Sequence, residues 1–238
     1  MRLLLINPNT SAAITDKVAA AARAVARPDT EIAAVGGRFG ATYIASRAAY
    51  AIAAHAALDA WAAAPAHDVA VLACFGDPGL AALREIADVP VIGLADASLN
   101  RACELGRRFA IVTGGDRWGP MLAEFVAARG LTPRLAGIRT VAPDGAAIAR
   151  DPQGSISLLA GACRAAIEAD GADVVILGGA GLAGLAAAVQ PGLGAPVLDS
   201  VEVAVRLAET AGGRPRGARL GLDTAGLSQA LKDRLGQM

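Results

Sequence analysis

Aromatic side chains are scarce, with four Phe, two Trp and two Tyr making up 3% of the 238 residues. Any core must therefore be aliphatic. A net excess of either charge is missing too, because 22 Lys and Arg balance 22 Asp and Glu. That balance gives no footing for a nucleic-acid groove or an anionic membrane as partner. No long unbroken apolar run exists. The longest uncharged apolar stretch, Val174 to Val189, is interrupted by Gly178, Gly179, Gly181 and Gly184, which suits a buried strand and loop better than a membrane span. The opening MRLLLINPNTS has one Arg and an apolar run too short for a signal segment. The three cysteines, Cys74, Cys103 and Cys163, follow no metal or disulfide spacing, so we expect reduced thiols and a cytoplasmic protein. No paired Asp or Glu spacing marks a glycosidase or a metal site. His55 and His67 read as structural or solvated, and Cys103 and Cys163 as core fillers.

What is present is an echo. From Asp68 the chain reads DVAVLACFGDPGLAAL and reaches VPVIGLADAS; from Asp173 it reads DVVILGGAGLAGLAAA and reaches APVLDSVEVA. Aligned on those two aspartates, Cys74 falls opposite Gly179, Gly76 opposite Gly181, and Leu80 opposite Leu185. Pro90 answers Pro196 after a one-residue insertion. Two copies of one strand–loop–helix–strand unit imply two similar half-domains facing a shared site.

Short apolar runs alternating with alanine-rich helical stretches give βαβα order and a parallel sheet in each half. Expected strands are Arg2–Ile6, Glu31–Val35, Asp68–Ala73 and Val89–Leu94, then Phe109–Val112, Ile138–Val141, Val174–Leu177 and Pro196–Leu198. Tyr43–Ala63 reads as one long helix. Asp77-Pro78 reads as a helix start, a capping carboxylate followed by proline. Asn9, Thr10 or Ser11 caps the first helix. The tail from Gly212 reads as turns, a short strand and a helix. The expected fold is α/β, with two pseudo-symmetric flavodoxin-like halves, each with a parallel four-stranded sheet, and a site in the cleft between them. Residues 1–96 with about 205–238 form the first half, and 97–204 the second.

Open parallel sheets bind ligands beyond their strand C-termini. The tips of Ile6, Ala73, Val112 and Leu177 should therefore cluster. Cys74 stands at such a tip just before a helix, where the helix dipole and free N–H groups favour thiolate, a base or nucleophile near neutral pH. Asn9 and Thr10 are candidates to position a substrate. Thr113 to Trp118 is a candidate pocket wall. Arg38 and Arg47 read as surface residues able to pair with an acid. Gly179-Ala-Gly181-Leu-Ala-Gly184, with Asp199 twenty residues beyond Gly179, also spells a dinucleotide fingerprint. Too few residues follow it for the later strands, and the loop after Cys74 has no such pattern.

INPNTS at Ile6–Ser11, ACFGDPGL at Ala73–Leu80 and REIADVPVIGLADAS at Arg84–Ser98 together resemble the aspartate/glutamate/hydantoin racemase superfamily, in particular its hydantoin branch. FAIVTGG at Phe109–Gly115 and VVILGGAGL at Val174–Leu182 fall at corresponding segments, so about residues 1–210 are covered. The resemblance implies a cofactor-independent isomerase that moves a proton at a carbon next to a carbonyl. One cysteine serves each face of the substrate, and strand-tip amides stabilise the enolate-like intermediate. Cys74 matches the first cysteine; Gly179 stands where the second belongs. Phe75, Gly76 and Ala180 are the implied oxyanion donors, and Gly179 and Thr113 are implied pocket residues. The implied partner is a small molecule, such as a hydantoin, an amino-acid-like compound or a diacid. The apolar composition leads us to expect a homo-oligomer. The missing cysteine keeps two alternatives in view: a single-cysteine decarboxylase of the arylmalonate type, and a ligand-binding relative without turnover.

Overall fold

The computed structural model describes residues 1–213, 215–218 and 220–236. Its first part runs β1 (Arg2–Asn7), α1 (Ala12–Val25), β2 (Glu31–Gly36), α2 (Arg47–Ala62), β3 (Val69–Leu72), α3 (Leu80–Ile86), β4 (Val91–Gly93) and α4 (Leu94–Leu105). The second runs β5 (Phe109–Gly114), α5 (Trp118–Ala127), β6 (Leu135–Val141), α6 (Gly145–Arg150), α7 (Pro152–Glu168), β7 (Val174–Leu177), α8 (Ala186–Val189), β8 (Val197–Asp199) and α9 (Ser200–Ala208). A last helix, α10 (Gln229–Gly236), follows the tail.

Two four-stranded sheets result, ordered β2-β1-β3-β4 and β6-β5-β7-β8, and every pairing is parallel. The two-sheet α/β expectation holds. The register carries the echo into three dimensions. Leu3 pairs with Val69 where Phe109 pairs with Val174, and Leu72 pairs with Gly93 where Leu177 pairs with Asp199. Strands β1, β3, β5 and β7 are buried along nearly their whole length, as parallel strands covered on both faces require.

The helix after each sheet's last strand crosses to the other half. α4 packs against β5, β7 and β8, whereas α9 packs on β3 and β4 and against α1 and α4. Val201, Ala204, Val205 and Ala208 thereby join a core with Leu3, Leu5, Val69 and Val71. α10 lies on α2, with Leu231 fully buried.

Three local expectations are corrected. α2 begins at Arg47 and not at Tyr43, because the Ser46 hydroxyl accepts from the Ala49 N–H at 3.1 Å and caps the helix there. Tyr43 is thereby left in a loop. Asp77 does not cap α3, whose N-cap is Gly79 at φ +84°; Asp77 itself adopts φ +55° in the turn. Its carboxylate instead accepts from the N–H groups of Ala95 (3.0 Å) and Asp96 (2.7 Å), and α4 starts at Leu94, the last residue of the expected strand Val89–Leu94. The tail, finally, contains α10 but no strand among its described residues. Ser11 is the cap of α1, accepting from Ile14.

Candidate active site

The tips of β1, β3, β5 and β7 meet at a small cavity between the halves. Asn9, Ile14, Tyr43, Ile44, Ala73, Cys74 and Phe75 line it from one side, and Thr113, Trp118, Gly145 and Gly179 to Leu182 from the other. Its volume is about 40 Å3. Neither wall carries a charged side chain among the described residues.

Cys74 is 7% exposed and follows the Ala73 amide, which is tied to the Ile6 carbonyl at 2.8 Å. Burial pushes its thiol well above the usual range, and the nearby Asp77 carboxyl pushes it further in the same direction. The expected thiolate at rest is therefore corrected. Desolvation outweighs the short α3 helix, and the group at rest is a neutral thiol.

The turn after Cys74 is held from three sides. The Asp77 N–H donates to the Cys74 carbonyl at 3.0 Å, and the Tyr50 hydroxyl donates to the Gly76 carbonyl at 2.6 Å. Gly76 adopts φ +108°, and a Cβ there would lie 3.0 Å from the Trp118 ring. Only glycine combines that conformation with so close an aromatic neighbour. Burial raises Asp77 to about 7, opposed by the two α4 N–H groups it accepts from. Burial first, and then the neighbouring Asp77 carboxyl and Cys74 sulfur, raise Tyr50 to about 12.

The facing loop is packed as closely. A Cβ on Gly178 would strike the Phe75 ring at 2.5 Å, and one on Gly181 would strike the Gly145 carbonyl. Gly179 differs. Its φ is +140°, yet a Cβ there would meet only Leu182 at 3.4 Å and the Thr113 hydroxyl at 3.6 Å, which are ordinary contacts. The dinucleotide reading of these glycines fails on Asp199. That carboxylate is taken up by the N–H groups of Gly184 (2.6 Å), Val201 (2.9 Å) and Glu202 (3.3 Å) and caps α9.

Several polar groups point to the cavity unpaired. Asn9 Oδ1 accepts from Asn7 Nδ2 at 2.8 Å and from the Ser11 N–H at 2.9 Å, which orients the amide so that Nδ2 is left to donate. Among the described residues, Asn9 Nδ2, the Thr113 hydroxyl and the N–H groups of Phe75 and Ala180 have no hydrogen-bond partner. Tyr43 closes the cavity across the halves. Its hydroxyl donates to the Gly114 carbonyl (3.1 Å) and accepts from the Gly145 N–H (3.0 Å), and burial raises its pKa.

Of the residues singled out in the sequence, Cys74, Asn9, Phe75, Thr113, Gly179 and Ala180 are brought together here. Thr10 and Gly76 are not. The Thr10 N–H bonds to the Ala41 carbonyl at 3.1 Å, and Gly76 lines a neighbouring groove. Arg38 pairs with Asp59 and Arg47 with Glu124, both away from the cavity. Tyr43, Ile44 and Gly145 escaped the sequence reading. A serine three residues before the Ala49 amide was the one signal that Tyr43 lay outside its helix.

No described helix is long and apolar enough to cross a membrane. Among the described residues no cluster of three or more His, Cys, Asp or Glu is placed to hold a metal ion.

Residues 3–208 match the family described as Asp/Glu/Hydantoin racemase. A hydantoin racemase from Pseudomonas sp. (strain NS671) is 37% identical over 212 residues, covering 88% of this chain and 85% of its own length. The crystal structure of an allantoin racemase from Pseudomonas fluorescens superposes with a TM-score of 0.84 at 34% identity, over 88% of this chain and 90% of that one. An allantoin racemase from Klebsiella pneumoniae gives 0.83 at 38% identity, over 88% and 86%. Arylmalonate decarboxylase, at 22% identity and a TM-score of 0.64, shares the fold alone. The chain belongs to the Asp/Glu/hydantoin racemase family and is an isomerase of the racemase type.

Proposed function

We propose that the chain racemises a small, neutral cyclic ureide, a 5-substituted hydantoin, by moving the proton on the ring carbon next to a carbonyl, with Cys74 as the acid/base on one face. The observation that carries this reading is the lining of the cavity. It holds a thiol, an oriented amide donor, a hydroxyl and unpaired backbone N–H groups, and no charged side chain. An amino-acid or diacid substrate would have to bury carboxylate there without a cation, which costs several kcal/mol. A ureide brings only carbonyl and N–H groups. Its relatives named for hydantoin and allantoin fit that selection.

Cys74 first gives its thiol proton to water; the thiolate sulfur then takes the proton from carbon, and the electron pair left there moves onto the adjacent carbonyl oxygen. The Phe75 and Ala180 N–H groups and Asn9 Nδ2 are the donors placed to hold that oxyanion. Inversion needs a proton from the far side, where Gly179 stands in place of the family's second cysteine. We assign that role to a water molecule seated in the space above Gly179 and accepting from or donating to the Thr113 hydroxyl. The cavity has room for about three water molecules at 10–15 Å3 each, so the ring enters only as the Tyr43 loop or Trp118 gives way.

The test is a single enantiomer of a 5-substituted hydantoin incubated in D2O, followed by optical rotation and by deuterium content. Loss of rotation matched by deuterium uptake is expected. Deuterium uptake with rotation retained would replace racemisation by one-face exchange at Cys74. Neither change, with the chain folded, would sink the ureide reading.

A further inference from the structure

Asn9 serves as an oxyanion donor only with its amide nitrogen turned toward the cavity, and nothing inside the cavity decides that. The choice is made behind it. Asn7, at the tip of β1, is 1% exposed, and neither it nor Thr15 of α1 lines the cavity. Asn7 Nδ2 donates to Asn9 Oδ1 at 2.8 Å and to Thr15 Oγ1 at 2.9 Å. The Thr15 hydroxyl donates its one proton to the Ser11 carbonyl at 3.1 Å, so only its lone pairs face Asn7.

Backbone groups cannot exchange donor for acceptor. The Ser11 carbonyl therefore sets the direction of every bond in this row, and the Ser11 N–H, donating to Asn9 Oδ1 at 2.9 Å, agrees at the other end. The Asn9 N–H, 3.4 Å from Asn7 Oδ1, holds the Asn7 amide the same way round. The loop itself is pinned separately, since the Gly37 N–H donates to the carbonyls of Asn7 (2.8 Å) and Asn9 (2.9 Å). Gly36 leaves room for the hydroxyl, because a Cβ there would lie 3.2 Å from Thr15 Oγ1.

We infer that Asn7 and Thr15 are positioning residues for the reaction: they pass the polarity of the Ser11 carbonyl to Asn9 and hold its Nδ2 toward the oxygen that becomes an oxyanion. The inference rests on the proposed oxyanion role of Asn9 and goes beyond it, because it assigns work to two residues that touch no substrate. Turned the other way, Asn9 would present Oδ1, a lone pair set against a developing negative charge.

A cycle of variants tests this, read as kcat and KM for racemisation of one enantiomer of 5-methylhydantoin, with melting temperature as the check on folding. Asn9→Ala is expected to lower kcat about a hundredfold, as loss of one oxyanion donor does. Thr15→Val, which keeps the shape and removes the acceptor, is expected to lower kcat about tenfold with KM unchanged. Thr15→Ser keeps the hydroxyl and is expected to retain the full rate. In the Asn9→Ala background, Thr15→Val is expected to change kcat by less than about twofold, since a residue acting only through Asn9 falls silent once that amide is gone. Asn7→Ala is expected to fall silent in the same background. Equal losses with and without Asn9, or full activity in Thr15→Val, overturn the positioning roles and leave the ureide reading standing. Full activity in Asn9→Ala overturns those roles and the oxyanion assignment of Asn9 together. No turnover by the unaltered protein overturns the ureide reading, and the inference with it.

Discussion

The two strand-tip loops occupy equivalent places and do different work. After β3 comes Cys74-Phe75-Gly76-Asp77; after β7 comes Gly179-Ala180-Gly181-Leu182. The carboxylates are exchanged as well. Asp77 lies opposite Leu182, and Gly93, at the tip of β4, lies opposite Asp199, at the tip of β8. Each half therefore places a buried carboxylate at this end of its sheet, and each uses it to hold the N-terminus of a helix that crosses to the other half. In the first half the carboxylate reaches forward from the loop, and Gly93 has to be glycine because a Cβ there would collide with Asp77. In the second it sits on the strand tip and reaches back to the Gly184 N–H at 2.6 Å. The lesson is that the scaffold requires an acceptor at that helix start but not at a fixed position, whereas the thiol is present on one face only.

The largest expected effect breaks the chemistry on the face that has it. Cys74→Ser should lower racemisation about a thousandfold, within the 10²–10⁴ typical of a general acid/base group. Polarimetry on the folded variant checks it, and more than a tenth of the activity surviving would remove Cys74 from the mechanism. In the unaltered chain the rate of proton abstraction should keep climbing with pH beyond about 8.5, the ordinary thiol value. Burial and the Asp77 carboxyl hold the sulfur protonated, so the thiolate fraction still grows there.

A smaller effect is expected from restoring symmetry. The space above Gly179 admits a side chain, with its nearest neighbours at 3.4 and 3.6 Å, but φ +140° must relax at a cost of about 1–3 kcal/mol. Gly179→Cys should still raise racemisation by about tenfold or more, because a thiol replaces water as the far-side proton source. Gly179→Ser, of equal bulk, should not. Equal rates for both variants would show that the second proton does not come from above Gly179.

The same contrast explains what the sequence could reveal. Both sheets and the equivalence of Cys74 with Gly179 follow from apolar runs and a repeated motif, which are properties of the chain itself. Ala73, Cys74 and Thr113 were legible because strand ends are. Tyr43 was not, since the alanine-rich sequence that follows it carries the helical pattern back to it, and only the Ser46 cap cuts the helix short. Asp77 was misplaced because Asp-Pro is a good helix start locally; its partners lie eighteen and nineteen residues away, at a helix start that no local pattern announces. The thiol's protonation escaped as well. A dipole is suggested by neighbours in sequence, whereas burial depends on the whole opposite wall.

The carboxylate exchange yields the smallest effect. Asp77→Asn keeps the shape but turns an amide toward one of the two α4 N–H groups, which should cost about 1 kcal/mol in urea unfolding at pH 5. That deficit should shrink or reverse by pH 8. Asp77 is raised from 3.8 to about 7 in the fold, so between those values the folded chain binds more protons than the unfolded one. Stability contributed by this group is then lost as pH rises through the window, and asparagine, which does not titrate, escapes the loss. Asp199 is also raised by burial, so Asp199→Asn should drift in the same direction over the part of the window above 3.8 that its own shift spans. Opposite drifts in the two variants would mean that the carboxylates are not two placements of one device. Matching drifts would mean that the halves have kept their shared helix-start chemistry where they have parted over the thiol.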